Sequence, residues 1–367
     1  MMMVAAVGLA MMSWAGVSEA QEKVPLRVGI AGLVHGHVDG FFGSALKRRD
    51  IQIVGIAEAD RELFERYATK YGLDEKLYHG DLEEMLKVTK PQAVLAYTST
   101  YDHVKVVERC AKLGVAVMME KPLAVSVKDA QAMVKAAKEG KITVLVNYET
   151  SWYPSNHEAY ELVHSGALGE VRKVVVHDGH LGPKEIGVSA EFLSWLTDPK
   201  LNGGGALFDF GCYGADLMTW LMNGEKPLTV TAVTQQIKPE TYPKVDDEAT
   251  IVMTYRKAQA IIQASWNWPF DRKDMEIYGR TGSVATVKRD GLMVRRAGEA
   301  EAKMEMAKAV AAPYDDSLTY LRAVLLEGAK VEGLSSLETN VVVTEILEAS
   351  RESARSGKMV WIAEQKF

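Results

Sequence analysis

Cysteine is nearly absent: Cys110 and Cys212 are the two thiols in 367 residues. Two cysteines cannot build a disulfide framework, and they exclude the multi-cysteine zinc and iron–sulfur sites. Cys110 reads as a mid-helix residue between Val107 and Leu113, and two free, mostly buried thiols are expected. No block of basic residues is present and the net charge is −6, which argues against nucleic acid as a partner. No internal repeat and no low-complexity linker interrupts the chain. Long hydrophobic runs are also missing. The stretch Val4 to Val17, apolar or small and without charge, is too short to span a bilayer. It ends in Ser18-Glu19-Ala20, small residues flanking an acid, as at the cleavage site of a secretory signal. The basic residues that usually precede such a run are absent. Two readings stay open for residues 1–20: an atypical signal peptide cut between Ala20 and Gln21, giving a periplasmic or secreted protein, or an N-terminal helix.

What is present begins at residue 26. Leu26-Arg-Val-Gly-Ile-Ala-Gly32 is a short apolar run closed by glycine, and Ile51-Gln-Ile-Val-Gly-Ile-Ala-Glu58 is a second run ending in an acid. Between them lies the turn Gly32, Leu33, Val34, His35, Gly36, His37. A strand, a glycine turn, a helix and a second strand ending in a carboxylate form the opening unit of a dinucleotide-binding fold. Glycines let the backbone approach a pyrophosphate, the following helix points its N-terminus at it, and the acid accepts hydrogen bonds from the adenosine ribose. Glu58 lies 26 residues after Gly32 and would repel a 2′-phosphate, so NAD is expected over NADP. The GxGxxG pattern is imperfect, because Val34 and His37 occupy the places of the second and third glycines. An ordinary α/β protein with a glycine turn is the competing interpretation of this segment alone.

Strand and helix signals then alternate. Arg61–Tyr71 reads as a helix stopped by Gly72, Asp81–Val88 as a helix capped by Asp81, and Ala93–Tyr97 as a buried strand. A helix from His103 to Leu113 stops at Gly114, and Val115–Met119 is a strand followed by Glu120-Lys121-Pro122. Ser126 caps a helix that Gly140 ends, and Ile142–Asn147 is the sixth strand. Such alternation gives a parallel sheet with helices on both faces. Past Asn147 the pattern changes to helix Asn156–His164, strand Val171–His177, a glycine-opened helix over 205–221, and strands near 228–236, 249–255, 260–267 and 275–278. Two helices near 315–328 and 335–356 close the chain. The fold expected is α/β: a Rossmann dinucleotide-binding domain over 21–148, then an α+β domain over 149–367 with a mixed, largely antiparallel open sheet. The last helices should return toward the first domain.

Several motifs in one order resemble the Gfo/Idh/MocA oxidoreductase family. They are Val28-Gly-Ile-Ala-Gly32, Glu58, Thr98 with His103, Glu120-Lys121-Pro122, Asn147 with Pro154, Gly203-Gly-Gly-Ala-Leu-Phe-Asp209-Phe-Gly-Cys-Tyr213-Gly-Ala-Asp216, Glu276-Ile-Tyr-Gly-Arg-Thr-Gly282 and the tail from Asn340 to Gly357. The resemblance covers nearly all of residues 26–362. It implies a nicotinamide cofactor held by the 32–37 turn, Glu58, Thr98, His103, Glu120 and Lys121. It also implies a carbohydrate or cyclic polyol substrate, and assembly as a homodimer or homotetramer through the C-terminal sheet. The catalytic set it implies is Lys121, Asp209 and Tyr213, with tyrosine where the family often has histidine, as in its glucose–fructose oxidoreductase and dihydrodiol dehydrogenase branches.

The residues agree with that reading. Asp209, Tyr213, Asp216 and Trp220 fall at i, i+4, i+7 and i+11, one helix face, with Leu207, Phe210, Leu217 and Leu221 away from it. A polar stripe on an apolar helix needs a cavity; the bland interpretation is a solvated face. Lys121 follows the carboxyl end of a parallel strand, where ligands bind, unless it merely pairs with Glu120 at the surface. Its ammonium would lower the pKa of the Tyr213 phenol and polarise a substrate oxygen. Asn147 and His180 are candidate substrate residues; a structural role for His180 is the alternative. Trp152 and Trp195 either stack on a sugar face or pack in the core. No metal is expected, since His35 with His37, and His177 with His180, lack a carboxylate or thiolate at ligand spacing. Hydride transfer between a carbinol and the nicotinamide is the leading function. A glycoside hydrolase with transient C3 oxidation, and a non-catalytic sugar or nucleotide binder, are the alternatives.

Overall fold

The computed structural model describes residues 24–362. The N-terminal segment 1–20, with its expected cleavage site, lies outside the described residues. The first sheet is built from β1 (Leu26–Ala31), β2 (Ile51–Ala57), β3 (Tyr78–His79), β4 (Ala93–Ala96), β5 (Ala116–Glu120) and β6 (Val144–Asn147). All its pairs are parallel, in the order β3-β2-β1-β4-β5-β6. The connecting helices are α1 (His37–Ala45), α2 (Arg61–Tyr71), α3 (Leu82–Thr89), α4 (His103–Ala111) and α5 (Val127–Gly140). Their ends follow local chemistry. Asp60, Asp81 and Ser126 accept hydrogen bonds from first-turn amides, and Gly72 takes the left-handed conformation that ends α2. Strand order reverses between β1 and β4, so the crevice at their carboxyl ends is where a ligand enters such a sheet.

Two details depart from expectation. The two-residue β3 is too short to give a periodic signal. Gly140 does not stop α5: Lys141 makes the left-handed turn instead, with φ 51°. Gly140 is needed for a different reason, since a Cβ there would lie 2.5 Å from the Ala111 carbonyl oxygen of α4.

The second sheet has nine strands. After α6 (Pro154–His164) come β7 (Val171–Gly179), α7 (Ala190–Leu196), α8 (Ala206–Asp209) and α9 (Gly211–Leu221). Then follow β8 (Thr229–Gln235), β9 (Glu248–Thr254), β10 (Gln259–Ser265), β11 (Arg272–Gly279), β12 (Ser283–Val287), β13 (Gly291–Arg295), β14 (Lys303–Met306), α10 (Ser317–Arg322), α11 (Leu337–Ser356) and β15 (Val360–Trp361). Spatial order is β14-β13-β12-β11-β7-β10-β9-β8-β15, antiparallel throughout except β7 with β10. The sheet is mixed, mostly antiparallel and open. Helix α7 and strands β12 to β15 were not foreseen, the strands being short or at edges. The expected helix over 205–221 is two helices broken at Phe210.

A large apolar core runs from one face of the first sheet through α4, α5, α9 and α11 to the inner face of the second. A second core covers the opposite face of the first sheet. There Leu318, Tyr320 and Leu321 of α10 join α1 and β1, so the chain's last third returns to the first sheet. Both thiols are free and buried, as expected. Among the described residues, no helix is long and apolar enough to cross a membrane.

Candidate active site

Strand β5 delivers Glu120 and Lys121 to its carboxyl end, where their side chains part. Lys121 is 5% exposed and points at the start of the second domain's helices. Its Nζ donates to Asp209 Oδ1 at 2.5 Å and to the Asp209 carbonyl oxygen at 2.9 Å. Asp209 is also 5% exposed, and its Oδ2 accepts from Trp266 Nε1 at 2.9 Å. Burial alone would discharge both groups. Their mutual attraction overcomes it, leaving the Asp209 carboxyl below and the Lys121 ammonium above its ordinary value. Lys121 is therefore no surface partner of Glu120.

The helix carrying Asp209 is fixed locally. Asp246 accepts from Gly205 N at 2.9 Å and Leu207 N at 2.7 Å, capping α8. A Cβ on Gly205 would fall 1.7 Å from the Asp246 carbonyl oxygen, so only glycine admits this approach. Lys121 Nζ lies 5.0 Å from the Tyr213 ring centroid and 5.8 Å from that of Phe210; Lys273 Nζ also lies over the Tyr213 ring, 5.2 Å from its centroid. Tyr148 meets Tyr213 edge-on.

The break at Phe210 overturns the single polar stripe. Asp209 and Tyr213 reach the site, but Asp216 is sealed in the core with no partner for either oxygen among the described residues. Trp220 stacks on Tyr160, 4.2 Å away, on another side of the domain. Phe210, expected to point away, faces Lys121 and His180. The expected lowering of the Tyr213 pKa is also reversed. Burial, together with Cys212, Glu149, Asp209 and Glu120, pushes the phenol well above its ordinary value.

Glu120 turns the other way. Its Oε2 meets His37 Nδ1 at 2.8 Å and its Oε1 accepts from Asn147 Nδ2 at 2.9 Å; Trp152 Nε1 in turn donates to Asn147 Oδ1 at 2.9 Å. Trp152 thus orients Asn147, and its ring packs on Tyr320 rather than standing open as a sugar platform. The expectation that no carboxylate stands near the histidine pairs fails on both counts: Glu120 reaches His37, and Asp274 reaches His177 at 3.0 Å from the neighbouring strand. Neither partner is near in sequence.

At the glycine turn, Gly32 has φ 77° and no room for a Cβ, which would lie 2.8 Å from Thr98 Cγ2. Glu58 is buried and accepts from Leu33 N at 2.7 Å and Asp60 N at 2.9 Å, tying the turn to the end of β2. Burial raises its pKa despite those donors. A glycine cradle beside a strand-end carboxylate fits a dinucleotide: the 32–37 backbone for pyrophosphate and Glu58 for ribose hydroxyls. Arg61 is engaged by Glu65 and lies over the Tyr78 ring.

Three expected ligand residues also make contacts within the chain. Trp195 Nε1 donates to the Val34 carbonyl at 3.1 Å, and its ring packs on His35 and Phe192, which places it over the nucleotide turn instead of the sugar pocket. A Cβ on Gly36 would meet Phe192 Cδ1 at 2.8 Å, so Gly36 is there to seat α7. His103 is buried and bonds the Leu123 carbonyl at 3.1 Å, holding the segment after Lys121. His35 is buried, and burial with the nearby charges of His37, Lys121 and His103 keeps it well below its ordinary pKa. His180 stands edge-on to Phe210 at 4.8 Å, near Asp209, while its Nδ1 accepts from Gly182 N.

Asp178 was overlooked. It is 1% exposed, and neither carboxylate oxygen has a hydrogen-bond partner among the described residues. Burial pushes its pKa well up, against the charges of Lys273 and Lys121. The signal was in β7: Val174, Val176 and Asp178 share a face, so an inward row ends in an acid. Lys273 and Glu149, paired with each other across the site, were also missed.

Comparison with known proteins agrees with this architecture. Residues 26–148 match the oxidoreductase family with an NAD-binding Rossmann fold, and residues 156–285 match the GFO/IDH/MocA C-terminal domain. The chain belongs to the Gfo/Idh/MocA oxidoreductase family. A trans-1,2-dihydrobenzene-1,2-diol dehydrogenase of Xenopus tropicalis is 28% identical over 225 residues, 60% of this chain and 63% of that one. The chain thus matches under two thirds of that relative's length. An aldose–aldose oxidoreductase from Caulobacter crescentus, complexed with glycerol, superposes with a TM-score of 0.77 at 23% identity, covering 92% of this chain and 100% of the other. An inositol dehydrogenase homologue from Azotobacter vinelandii, complexed with NAD+, gives 0.78 at 18% identity over 93% and 98%. At these identities the structures speak for the fold.

Proposed function

We propose that this protein is a nicotinamide-dependent oxidoreductase that moves hydride between a sugar or cyclic polyol carbinol and NAD(H). The observation that carries the proposal is the buried Lys121–Asp209 pair at the carboxyl end of β5, beside the Tyr213 phenol. An ammonium has three protons. Asp209 takes two, through its carboxylate and its carbonyl, and the third is free for a substrate oxygen. That oxygen becomes more negative as a carbonyl is reduced, and a fixed cation in a dry site stabilises it. Tyr213 remains protonated at neutral pH and is the proton donor to the developing alkoxide. Burial pushes the Asp178 carboxyl toward its protonated form, in which its hydroxyl can donate to a neighbouring sugar oxygen. When bound, NAD(H) supplies or receives the hydride. Glu58 favours NAD(H) over NADP(H), since its buried carboxylate would face a 2′-phosphate.

The test is single-turnover absorbance of protein loaded with NADH and mixed with a panel of aldoses, ketoses and inosose-type ketones. Oxidation of the bound nucleotide by at least one of them is expected. No oxidation by any, with release of product from an aryl glycoside instead, would replace this reading with the hydrolase.

A further inference from the structure

We infer that His35, His37 and Glu120 form a binding site for one divalent transition-metal ion, with Zn²⁺ the best match. One ring nitrogen from each histidine and one Glu120 oxygen lie within 4.8 Å of one another. Among the described residues this is the group that brings three such ligands together. Two imidazoles and a carboxylate suit Zn²⁺, Co²⁺ or Ni²⁺ rather than Mg²⁺ or Ca²⁺, which prefer all-oxygen shells.

The geometry needs little adjustment. Zinc bonds of ~2.0–2.2 Å in a tetrahedron place ligand atoms ~3.3 Å apart. His37 Nδ1 and Glu120 Oε2 already stand 2.8 Å apart, and a small opening admits the ion. The His35 ring has to close by at most ~1.5 Å toward them. Its backbone is anchored to the Tyr97 carbonyl, and its ring is held between Phe192 and Trp195. The 3.2 Å contact of His37 N with His35 Nδ1 is the weak bond that an ion would displace or bypass.

The surroundings resemble a supported ligand set. Glu120 is buried, and its second oxygen is fixed by Asn147, itself fixed by Trp152. Such outer partners orient first ligands and contribute to affinity. His37 is half-exposed and gives the ion a way in. Three protein ligands leave a fourth position for water, as in open zinc sites. The inference does not depend on hydride transfer, and it stands or falls by metal retention alone.

The experiment uses the untagged full chain, stripped with a chelator and desalted. Equimolar Zn²⁺ is added, and the metal retained after gel filtration is measured by mass spectrometry; Co²⁺ is substituted in parallel. Expected are about one retained Zn²⁺ per chain and visible Co²⁺ bands of a four- or five-coordinate site. Affinity should fall in both Glu120→Gln and His37→Ala by at least the ~10–100-fold that loss of an outer partner alone costs. His37 is half-exposed, so His37→Ala is the variant expected to keep its fold, checked by circular dichroism. Failure to retain Zn²⁺, or equal retention by folded His37→Ala, overturns the inference and leaves the cluster as a hydrogen-bonded histidine–carboxylate pair.

Discussion

Lys121 and Asp209, 88 residues apart in sequence, meet with Nζ 2.5 Å from Oδ1 in a place closed to water. One directly follows the fifth strand of the nucleotide-binding sheet and the other ends the short helix α8 of the second domain. The pair joins the two halves, and in the proposed mechanism it also supplies the charge at the chemistry.

These two roles can be separated. Lys121→Met removes the cation and leaves a buried carboxylate, which should destabilise the protein by about 3–5 kcal/mol and lower turnover by several orders of magnitude. Lys121→Met with Asp209→Leu removes both charges. Thermal melts should recover most of the lost stability while turnover stays at the level of the single variant. Recovery of turnover in the double variant would mean that the ammonium is not needed for the chemistry.

Asp178 should be a stability cost retained for function. Its folded-state pKa is above the unfolded value, so the fold binds a proton that the unfolded chain gives up. The stabilisation linked to that proton is complete below the ordinary carboxyl pKa and is lost as pH rises toward the folded value. Asp178→Asn cannot ionise and should gain ~1–3 kcal/mol over wild type at pH 8, with a smaller gain near pH 4. Activity should fall, in the trade-off expected of a site residue. A variant less stable than wild type at pH 8 would show that Asp178 has a partner in solution.

The nucleotide turn and α7 should be coupled. Gly36→Ala puts a methyl 2.8 Å from the Phe192 ring and should cost about 1–3 kcal/mol by overpacking. Adding Phe192→Ala should relieve part of that cost, so the two changes together cost less than their sum in a double-mutant cycle. Simple additivity would mean that α7 does not rest on the turn in solution.

Cofactor choice can be titrated. Glu58→Gln places an amide donor where Leu33 N or Asp60 N now donates, and should weaken NADH binding ~10-fold by leaving a buried donor unsatisfied. It should also narrow the gap to NADPH. Wild type that binds NADPH as tightly as NADH would reject the role given to the carboxylate.

Much of this was legible from local patterns. The parallel sheet could be read because each strand is a short apolar run between punctuated helices: Asp60, Asp81 and Ser126 cap, and Gly72 stops. Lys121, Asp209 and Tyr213 could be named because they sit in distinctive motifs. What escaped depends on contacts distant in sequence. The break at Phe210 between α8 and α9 is announced by nothing near residue 210. Trp195 and Gly36 serve a contact between α7 and the turn, 161 residues of separation for the Trp195–Val34 bond. The direction of the Tyr213 shift is set first by burial, which follows from packing between segments distant in sequence. Asp178 is the exception. The period of β7 pointed inward to it, and the neighbouring histidine drew attention away.

The most direct test of the central claim is single-turnover hydride transfer in Tyr213→Phe across pH. The substitution keeps the ring and removes the hydroxyl. The account predicts unchanged NADH binding and carbonyl reduction slowed by ~10²–10⁴-fold. It also predicts a wild-type reduction rate that stays level through the ordinary phenol pKa of about 10 and falls only above it, because the donor form persists when its pKa is raised. Tyr213→Phe reducing the substrate at the wild-type rate, or a wild-type rate already falling well below pH 10, would contradict it.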